Sequence, residues 1–131
     1  MKQAYINYLY NGPESLRYEP SHASEDASGC DLRYIGDESI TLIPGALRSL
    51  PTGISAEIPV NHEGQLRLRS GFSRKNCILM FPQVGTIDAD YRGEIGVILI
   101  NLSDEVFTVE DGERIAQLVI AKYKQAQWQE V

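Results

Sequence analysis

Two carboxylates, a phenol and a guanidinium occur together in residues 85–93, directly before an apolar run. The carboxylates are Asp88 and Asp90, and Tyr91 and Arg92 follow them. A carboxylate is ionised at neutral pH and can accept a proton or orient a water molecule. A lone turn aspartate often does no more than bond to its own backbone, and for Asp90 a structural role stays open. The combination of groups on one turn indicates a functional site, with Asp88 as the candidate catalytic residue.

A second polar group, Arg69-Ser70-Gly71, ends a predicted strand. A guanidinium supplies forked, charge-assisted donors to phosphate oxygens, and a hydroxyl and an unobstructed glycine amide can bind the same anion. Residues 65–87 contain no Asp or Glu and four basic residues, namely Arg67, Arg69, Arg74 and Lys75. This patch predicts a small basic pocket for a compact polyphosphate, with solvated surface charges as the alternative. Ser70 is not expected to be a nucleophile, because neither histidine lies in a recognisable triad context.

Composition limits the class of protein. The 131 residues fit one domain, residues 1–131, and 23% charged with 43% hydrophobic residues is a globular balance. The net charge of −6 disfavours a long polyanion, so we expect no nucleic-acid partner. No apolar stretch is long enough to span a bilayer, so we expect no membrane partner. The polar, alternating start, residues 1–7, lacks the features of a secretory signal and predicts a cytoplasmic protein with its own N-terminal strand.

The cysteines and histidines offer little chemistry. Cys30 and Cys77 lack the paired spacing of a zinc site, so we interpret both as reduced packing cysteines. His22 and His62 are the only histidines, and we expect plain loop roles for both.

Hydrophobic periodicity favours strands almost everywhere. Short alternating or β-branched segments, separated by Gly, Pro, Asn or Asp, cover residues 40–43, 53–58, 65–69, 106–109 and 118–121. Only residues 73–80 could form a short helix or turn, with Ser73 as its N-cap. The spacing of the turns predicts an all-β sandwich or barrel with at most one short helix.

The run Val97-Ile98-Leu99-Ile100 departs from alternation, so both faces of this strand should be buried. One face meets the core. The other face needs a cover, which is either a second subunit or a second sheet of the same chain. The pattern alone leaves both open.

Four ordered motifs resemble those of the trimeric dUTPases. They lie at residues 27–32, 69–71, 85–93 and 112–117. The resemblance covers residues 18–123 and implies an all-β fold, a distorted jelly roll or β-barrel of the dUTPase type. It also implies a homotrimer with active sites between subunits and with strands such as 97–100 along the threefold axis.

The resemblance implies hydrolysis of dUTP to dUMP and pyrophosphate by Mg²⁺-assisted, in-line attack of water on the α-phosphate. Asp88 would orient the water and meet the 3′-hydroxyl. Tyr91 would pack under the deoxyribose and disfavour a 2′-hydroxyl. Uracil would be read by main-chain groups of a hairpin at residues 82–87, namely those of Gly85, Thr86 and Ile87. Pro82 departs from the family pattern, and it removes one N–H donor from this segment.

The resemblance assigns the second motif to polyphosphate binding, through Arg69, Ser70 and Gly71. Leu68 stands where the family usually has proline, a change that affects strand geometry more than chemistry. Asp31 and Gln117 would complete the catalytic residues, and Arg114 would support Asp31. For Asp31 and Arg114, a purely structural ion pair is the alternative. Mg²⁺ typically arrives with the triphosphate and keeps several waters, so we expect no direct metal ligand from the protein.

Two other functions compete with this one. A dCTP deaminase shares the fold and carries a glutamate on the strand after the third motif, but the aligned position here is Ile98, so deamination is disfavoured. A non-catalytic regulatory or structural protein on the same scaffold is the second alternative. This alternative is supported by the absence from residues 118–131 of the fifth, glycine-rich motif of the family. We expect this mobile arm to lie outside the 131 residues rather than to have been lost.

Overall fold

The computed structural model describes residues 3–72 and 77–131, and most of its regular structure is β-strand. Alternating apolar and β-branched residues favour strands because they pack well on a pleated surface. The strands of the described residues are β1 Asn7–Tyr10, β2 Ser21–His22, β3 Gly29–Arg33, β4 Ile40–Leu42, β5 Leu47–Pro51, β6 Ile54–Glu57, β7 His62–Leu68, β8 Ile78–Met80, β9 Val84–Ile87, β10 Gly96–Asn101, β11 Phe107–Val109 and β12 Arg114–Lys122. A 3₁₀ helix covers Glu14–Leu16, and residues 70–72 have helical backbone geometry.

The strands form antiparallel sheets of unequal size. The largest has the order β2-β3-β12-β7-β9, and a second has the order β5-β10-β8. Two strand pairs, β1-β6 and β11-β4, complete the described sheets. Neighbouring strands such as β3 and β12 are far apart in sequence, as in the Greek-key connections of a jelly roll. The prediction of an all-β, jelly-roll-type fold is confirmed.

One cluster of buried side chains, contributed by most of the strands, forms the core. Leu32, Leu42 and Leu50 come from three different strands and have no exposed surface. Fully burying such a side chain contributes about 1.5–3 kcal/mol, so this cluster is the main source of stability. In the described residues, no helix is long and apolar enough to span a membrane.

Strand β10 buries one face in this core and leaves its other apolar face partly exposed. Leu99 has no exposed surface, whereas Ile98 and Ile100 are intermediate. Ile100 is aligned with Leu47 on β5 and with Leu79 on β8, so an apolar row crosses the outer face of this sheet. Within one chain, the prediction of burial on both faces is met on the inner face only.

Two predictions of local structure are wrong. Residues 3–6 have no regular secondary structure, and the first strand begins at Asn7, because its partner β6 ends at Glu57, directly opposite Asn7. Of the short helix or turn predicted for residues 73–80, residues 73–76, including the N-cap Ser73, lie outside the described residues. Ile78–Met80 forms β8 instead, because these residues pair with β10.

The histidines and cysteines differ from expectation in three of four cases. His22 lies on β2 and His62 begins β7, so both are strand residues and not loop residues. Cys77 is exposed and therefore does not pack. Cys30 is partly buried, with its Sγ 3.4 Å from His22 Nε2. Burial, together with the charge of Asp31, raises the pKa of the Cys30 thiol.

Candidate functional site

Asp31 lies between two arginines at one end of the largest sheet. Arg69 directly follows β7, Arg114 is the first residue of β12, and antiparallel pairing brings both to the end of the sheet where β3 carries Asp31. One carboxylate oxygen of Asp31 is 3.5 Å from Arg69 Nε, and the other is 3.5 Å from Arg114 Nη1. Asp31 is only 8% exposed, so these guanidiniums balance its charge in place of water. The ion pair that was an alternative for Asp31 and Arg114 is therefore present.

A pocket beside this cluster is rich in hydrogen-bond donors. Its lining includes Arg33, Arg69, Ser70, Gly71 and Arg114. The Arg33 guanidinium is held by a 2.9 Å hydrogen bond from its Nη1 to the carbonyl of Gly112. Three guanidiniums and a hydroxyl on one pocket make a site for an anion with several oxygens. We call it the arginine pocket.

The arginine pocket differs from the basic patch predicted for residues 65–87. Arg67 is exposed, and its Nη2 donates a hydrogen bond to the Gln65 side chain on the same strand. Arg74 and Lys75 lie outside the described residues. Of the patch, Arg69 alone among the described residues lines the pocket.

Arg33 is the functional candidate that sequence reasoning missed. It is aligned with Arg114 across β3 and β12, which explains why the two reach the same pocket. Residues two apart on a strand share a face, so Arg33 lies on the same face of β3 as Asp31. That alternation is the signal that could have identified it.

An aromatic pair anchors the turn that carries Ser70 and Gly71. Phe72 is 7% exposed and packs edge-to-face on Phe107 of β11, with ring centroids 5.7 Å apart and an interplanar angle of 73°. Such a pair contributes about 0.5–1.5 kcal/mol beyond the burial of its area. The Phe72 amide also donates to the Arg69 carbonyl at 3.2 Å. These contacts fix the main chain of the turn where it lines the arginine pocket.

Gln117 lies beside Asp31 on the largest sheet. It is aligned with Asp31 on β3 and with Arg67 on β7, and it is partly buried. Side chains aligned across antiparallel strands share a face of the sheet. Gln117 is therefore next to the ion-pair cluster, although it is not among the described residues that line the arginine pocket.

A second pocket surrounds the turn after β9. Its lining comprises Thr86, Ile87, Asp88, Tyr91, Glu94, Ile95 and Gly96. The Tyr91 amide donates to the Asp88 carbonyl at 3.1 Å, which closes the turn. The Tyr91 hydroxyl donates to the Glu94 carbonyl at 2.9 Å, while 43% of the tyrosine stays exposed. We call this the Asp88 pocket.

The other two polar residues of this turn have different positions. Arg92 Nη1 donates to the carbonyls of Ala89 at 2.6 Å and Tyr91 at 3.2 Å, so its guanidinium braces the main chain of the turn. Asp90 is exposed and is not among the described residues that line the Asp88 pocket.

Residues 82–87 do not form the predicted hairpin. Val84–Ile87 is β9, which pairs with β7, whereas the preceding strand β8 pairs with β10 in the other sheet. The chain changes sheets through bends at residues 81–83. Because β9 is an edge strand of the described sheet, part of its main-chain N–H and C=O groups point away from β7. Gly85, Thr86 and Ile87 thus lie on an edge that can offer main-chain hydrogen bonds to a ligand.

The two pockets lie at opposite ends of the largest sheet. Arg69 follows the end of β7, whereas Asp88 follows Ile87, which is aligned with Gly64 near the start of β7. At about 3.3 Å per residue, the strand from Gly64 to Arg69 spans roughly 17 Å. The described residues that line the two pockets have no member in common. Within one chain, the arginine pocket and the Asp88 pocket are separate.

Sequence comparison places this chain among nucleotide-hydrolysing proteins. A family model described as dUTPase matches residues 19–131. Similar proteins include the deoxyuridine 5′-triphosphate nucleotidohydrolases of Rickettsia massiliae and Rickettsia felis, which are 47% and 46% identical to it over 128 residues. Each alignment covers 98% of this chain and 84% of the relative.

Solved structures with a similar fold include two staphylococcal phage proteins. A variant of the Staphylococcus bacteriophage 80alpha dUTPase with dUpNHpp has a TM-score of 0.84 and 22% identity, and the match covers 98% of this chain and 97% of that one. A variant of the dUTPase of phage phi11 of S. aureus, studied for the coordination of a structural Mg(II) ion, has a TM-score of 0.86 and 20% identity, with the same two coverages. At these identities the likeness establishes the fold.

Proposed function

This chain belongs to the dUTPase family and is a dUTP nucleotidohydrolase, and we propose that each of its active sites joins the arginine pocket of one subunit to the Asp88 pocket of another. The separation of the two pockets carries this proposal. In a nucleotide, the sugar is only a few bonds from the α-phosphate, whereas the two pockets of one chain are roughly 17 Å apart along β7. One chain therefore cannot hold both parts of the same substrate.

A homotrimer satisfies this requirement. In a ring with rotational symmetry, the arginine pocket of each subunit faces the Asp88 pocket of its neighbour, and the contact repeats until the ring closes. The apolar row of Leu47, Ile100 and Leu79 on the outer face of the β5-β10-β8 sheet is a surface that such an assembly would cover. Its partial exposure in the single chain supports the proposal.

The arginine pocket would bind the triphosphate. Arg69 and Ser70 supply charge-assisted and hydroxyl hydrogen bonds, and the Gly71 amide can approach a phosphate oxygen without obstruction from a side chain. Asp31 holds Arg69 in position, because its buried carboxylate fixes the guanidinium at 3.5 Å before substrate arrives. Gln117, aligned with Asp31, would reach the phosphate nearest the sugar.

The Asp88 pocket of the neighbouring subunit would bind the nucleoside and the water. Asp88 is exposed and lines its pocket, so its carboxylate can orient a water in line with the α-phosphorus and accept its proton. The Tyr91 ring would lie under the deoxyribose. The main-chain edge of Gly85, Thr86 and Ile87 would hydrogen-bond to uracil. Attack of the water breaks the bond from the α-phosphorus to the bridging oxygen, which releases dUMP and pyrophosphate.

The residues present fit a Mg²⁺ ion that is bound mainly by the substrate. The described residues contain no group of three His, Cys, Asp or Glu side chains that could hold a metal ion. Mg²⁺ usually takes one or two carboxylates at most and keeps several waters and substrate phosphates as ligands. We infer that triphosphate oxygens and water would hold it, with Asp31 beside them. When bound, it would neutralise charge on the phosphates and the leaving pyrophosphate.

Mixing two inactive variants tests the shared site. Arg69→Ala damages only the arginine pocket, and Asp88→Asn damages only the Asp88 pocket. If the two pockets of one site come from different subunits, refolding an equal mixture should restore about a quarter of wild-type activity, since one random pairing in four joins two intact pockets. Pyrophosphate release from dUTP is the measurement.

A matched control mixes Asp88→Asn with Asp88→Ala, two changes of the same residue in the same pocket. No intact Asp88 pocket can then form, so this mixture should stay inactive. Restoration in the control mixture, or none in the test mixture despite verified exchange of subunits, would contradict the shared site.

Two further predictions accompany this function. A single dUTPase-like domain over residues 1–131 is supported by the one cluster of buried side chains. We also propose a cytoplasmic location, and fractionation of the source cells would test it.

A further inference from the structure

Three segments of this chain have the pattern Tyr-x-Gly. They are Tyr10-Asn11-Gly12, Tyr34-Ile35-Gly36 and Tyr91-Arg92-Gly93. In each, the tyrosine hydroxyl donates a hydrogen bond to a main-chain carbonyl a few residues further on. The acceptors are Pro13 at 2.6 Å, Glu38 at 2.8 Å and Glu94 at 2.9 Å. The tyrosine ring thus folds back along its own chain in all three places.

The glycine of each segment provides the space for the ring. A Cβ atom on Gly93 would lie 2.5 Å from Tyr91 Oη and 2.7 Å from Tyr91 Cζ. The same two distances apply to Gly12 and Tyr10, and a Cβ on Gly36 would overlap the phenol of Tyr34. Real Cβ atoms essentially never come within 3.0 Å of such neighbours.

Backbone geometry does not explain these glycines. The described glycines with positive φ are Gly45, Gly53 and Gly112. Gly93 is not among them, so its backbone conformation is open to an alanine. The requirement at this position is for space, and the atom that needs the space belongs to Tyr91.

We propose that Gly93 determines the sugar selectivity of the active site by leaving room for the folded position of the Tyr91 ring. The inference rests on the proposed role of Tyr91 beneath the deoxyribose. The ring is held at its Cα by the turn that starts at Asp88 and at its hydroxyl by the Glu94 carbonyl. A ring held at both ends presents a fixed surface to the sugar, and a 2′-hydroxyl pressed against it loses water without gaining a partner.

The exposed setting of Tyr91 makes this position different from the other two. Tyr34 is 5% exposed and belongs to the core, so its folded ring stabilises the protein. Tyr91 is 43% exposed and lines a pocket. A Cβ on Gly93 would push this ring towards solvent at little cost to the fold, but the pocket would lose the wall that the ring provides.

The test is the ratio of kcat/KM for dUTP to that for UTP. In Gly93→Ala we expect this ratio to fall about tenfold or more, the range over which a single misplaced contact changes discrimination, with little change in Tm. Gly12→Ala is the matched control, because it displaces Tyr10 by the same geometry away from both pockets. We expect it to lower Tm and to leave the ratio unchanged.

A double substitution shows whether Gly93 acts through Tyr91. In a Tyr91→Ala background, Gly93→Ala should not change the ratio further, since no ring remains to be displaced. A further fall in that background would overturn the inference, and so would an unchanged ratio in Gly93→Ala alone. If Tyr91→Ala itself keeps the wild-type ratio, the sugar-binding role of Tyr91 fails, and this inference fails with it.

A crystal structure of Gly93→Ala tests the geometric step without any activity measurement. We expect the Tyr91 hydroxyl to have left the Glu94 carbonyl. A ring in its original position would refute the inference even if the proposed function holds.

Discussion

Asp31→Asn should destabilise the protein measurably, because one buried carboxylate holds two guanidiniums. At 3.5 Å and an effective dielectric constant near 20, each charge pair is worth about 5 kcal/mol before the cost of desolvation. The side chains of Arg69 and Arg114 are 32% and 45% exposed, so water screens both pairs and can solvate either arginine. An exposed ion pair contributes about 0–1 kcal/mol, and breaking a buried one costs about 3–5 kcal/mol. We therefore expect a loss of about 2 kcal/mol in the free energy of unfolding.

The amide geometry supports a loss of this size. Each oxygen of Asp31 faces one arginine, so an asparagine must turn its NH₂ group towards one of the two guanidiniums. Two donors then face each other, and one hydrogen-bonding group is left without a partner. The remaining oxygen can still accept from the other arginine.

Urea unfolding at a fixed chain concentration measures this loss. Asp26→Asn is the control, since it removes the same charge from an exposed loop position and should change the free energy of unfolding by less than about 0.5 kcal/mol. Pyrophosphate should bind Asp31→Asn more tightly than wild type, because the arginine pocket loses a negative charge, while kcat for dUTP falls. An Asp31→Asn variant as stable as the Asp26→Asn control would refute the reasoning.

Three further predictions follow from burial and charge. Ile98→Glu should prevent assembly, because a carboxylate would be buried in the apolar outer face of β10. Light scattering should show a trimer for wild type and a smaller species for this variant. Val60→Glu is the control and should remain a trimer, because Val60 is 78% exposed. Burial raises the pKa of Tyr18 to about 12, so the stabilising contribution of its neutral phenol is complete below pH 10 and is lost as the pH rises towards 12. Tyr18→Phe should therefore make the free energy of unfolding less dependent on pH in that window. The same pH dependence in the variant and in wild type would contradict this. Iodoacetamide at pH 7.5 should modify exposed Cys77 well before Cys30, whose thiol has a raised pKa. Mass spectrometry of peptides measures the order of modification, and faster modification of Cys30 would contradict this prediction.

The chemistry of each pocket could be predicted from sequence where it depends on local order. Asp88 and Tyr91 lie on one tight turn, so their neighbourhood follows from their positions in the chain. Ser70 and Gly71 likewise line a pocket directly after a strand whose end the alternation of apolar residues predicted. Turns and strand ends are set by nearby residues, and a single sequence contains that information.

Pairing between distant strands could not be predicted in the same way. Alternation along β3 places Arg33 on the face of Asp31, but Arg33 reaches the arginine pocket because β3 lies next to β12, and no local pattern indicates that neighbouring strand. The hairpin expected at residues 82–87 was wrong for a related reason. Chain proximity favours pairing of consecutive strands, but β9 pairs with β7 and β8 pairs with β10. The choice of partner depends on how the whole core packs, which local propensity does not contain.

The arginine pocket and the Asp88 pocket lie at opposite ends of one sheet, so under the proposed shared site a lone chain would carry two halves of a site and no complete one. Enzymatic activity would then depend on the fraction of chains that are assembled with a neighbour. A newly made subunit can be fully folded and still inert, and it gains activity only when the local concentration allows the ring to close. Dilution to a chain concentration below the dissociation constant of the ring should abolish activity while every chain keeps its fold. Catalysis in this protein would thus be a property of the population of subunits, set by mass action, and not of the individual molecule.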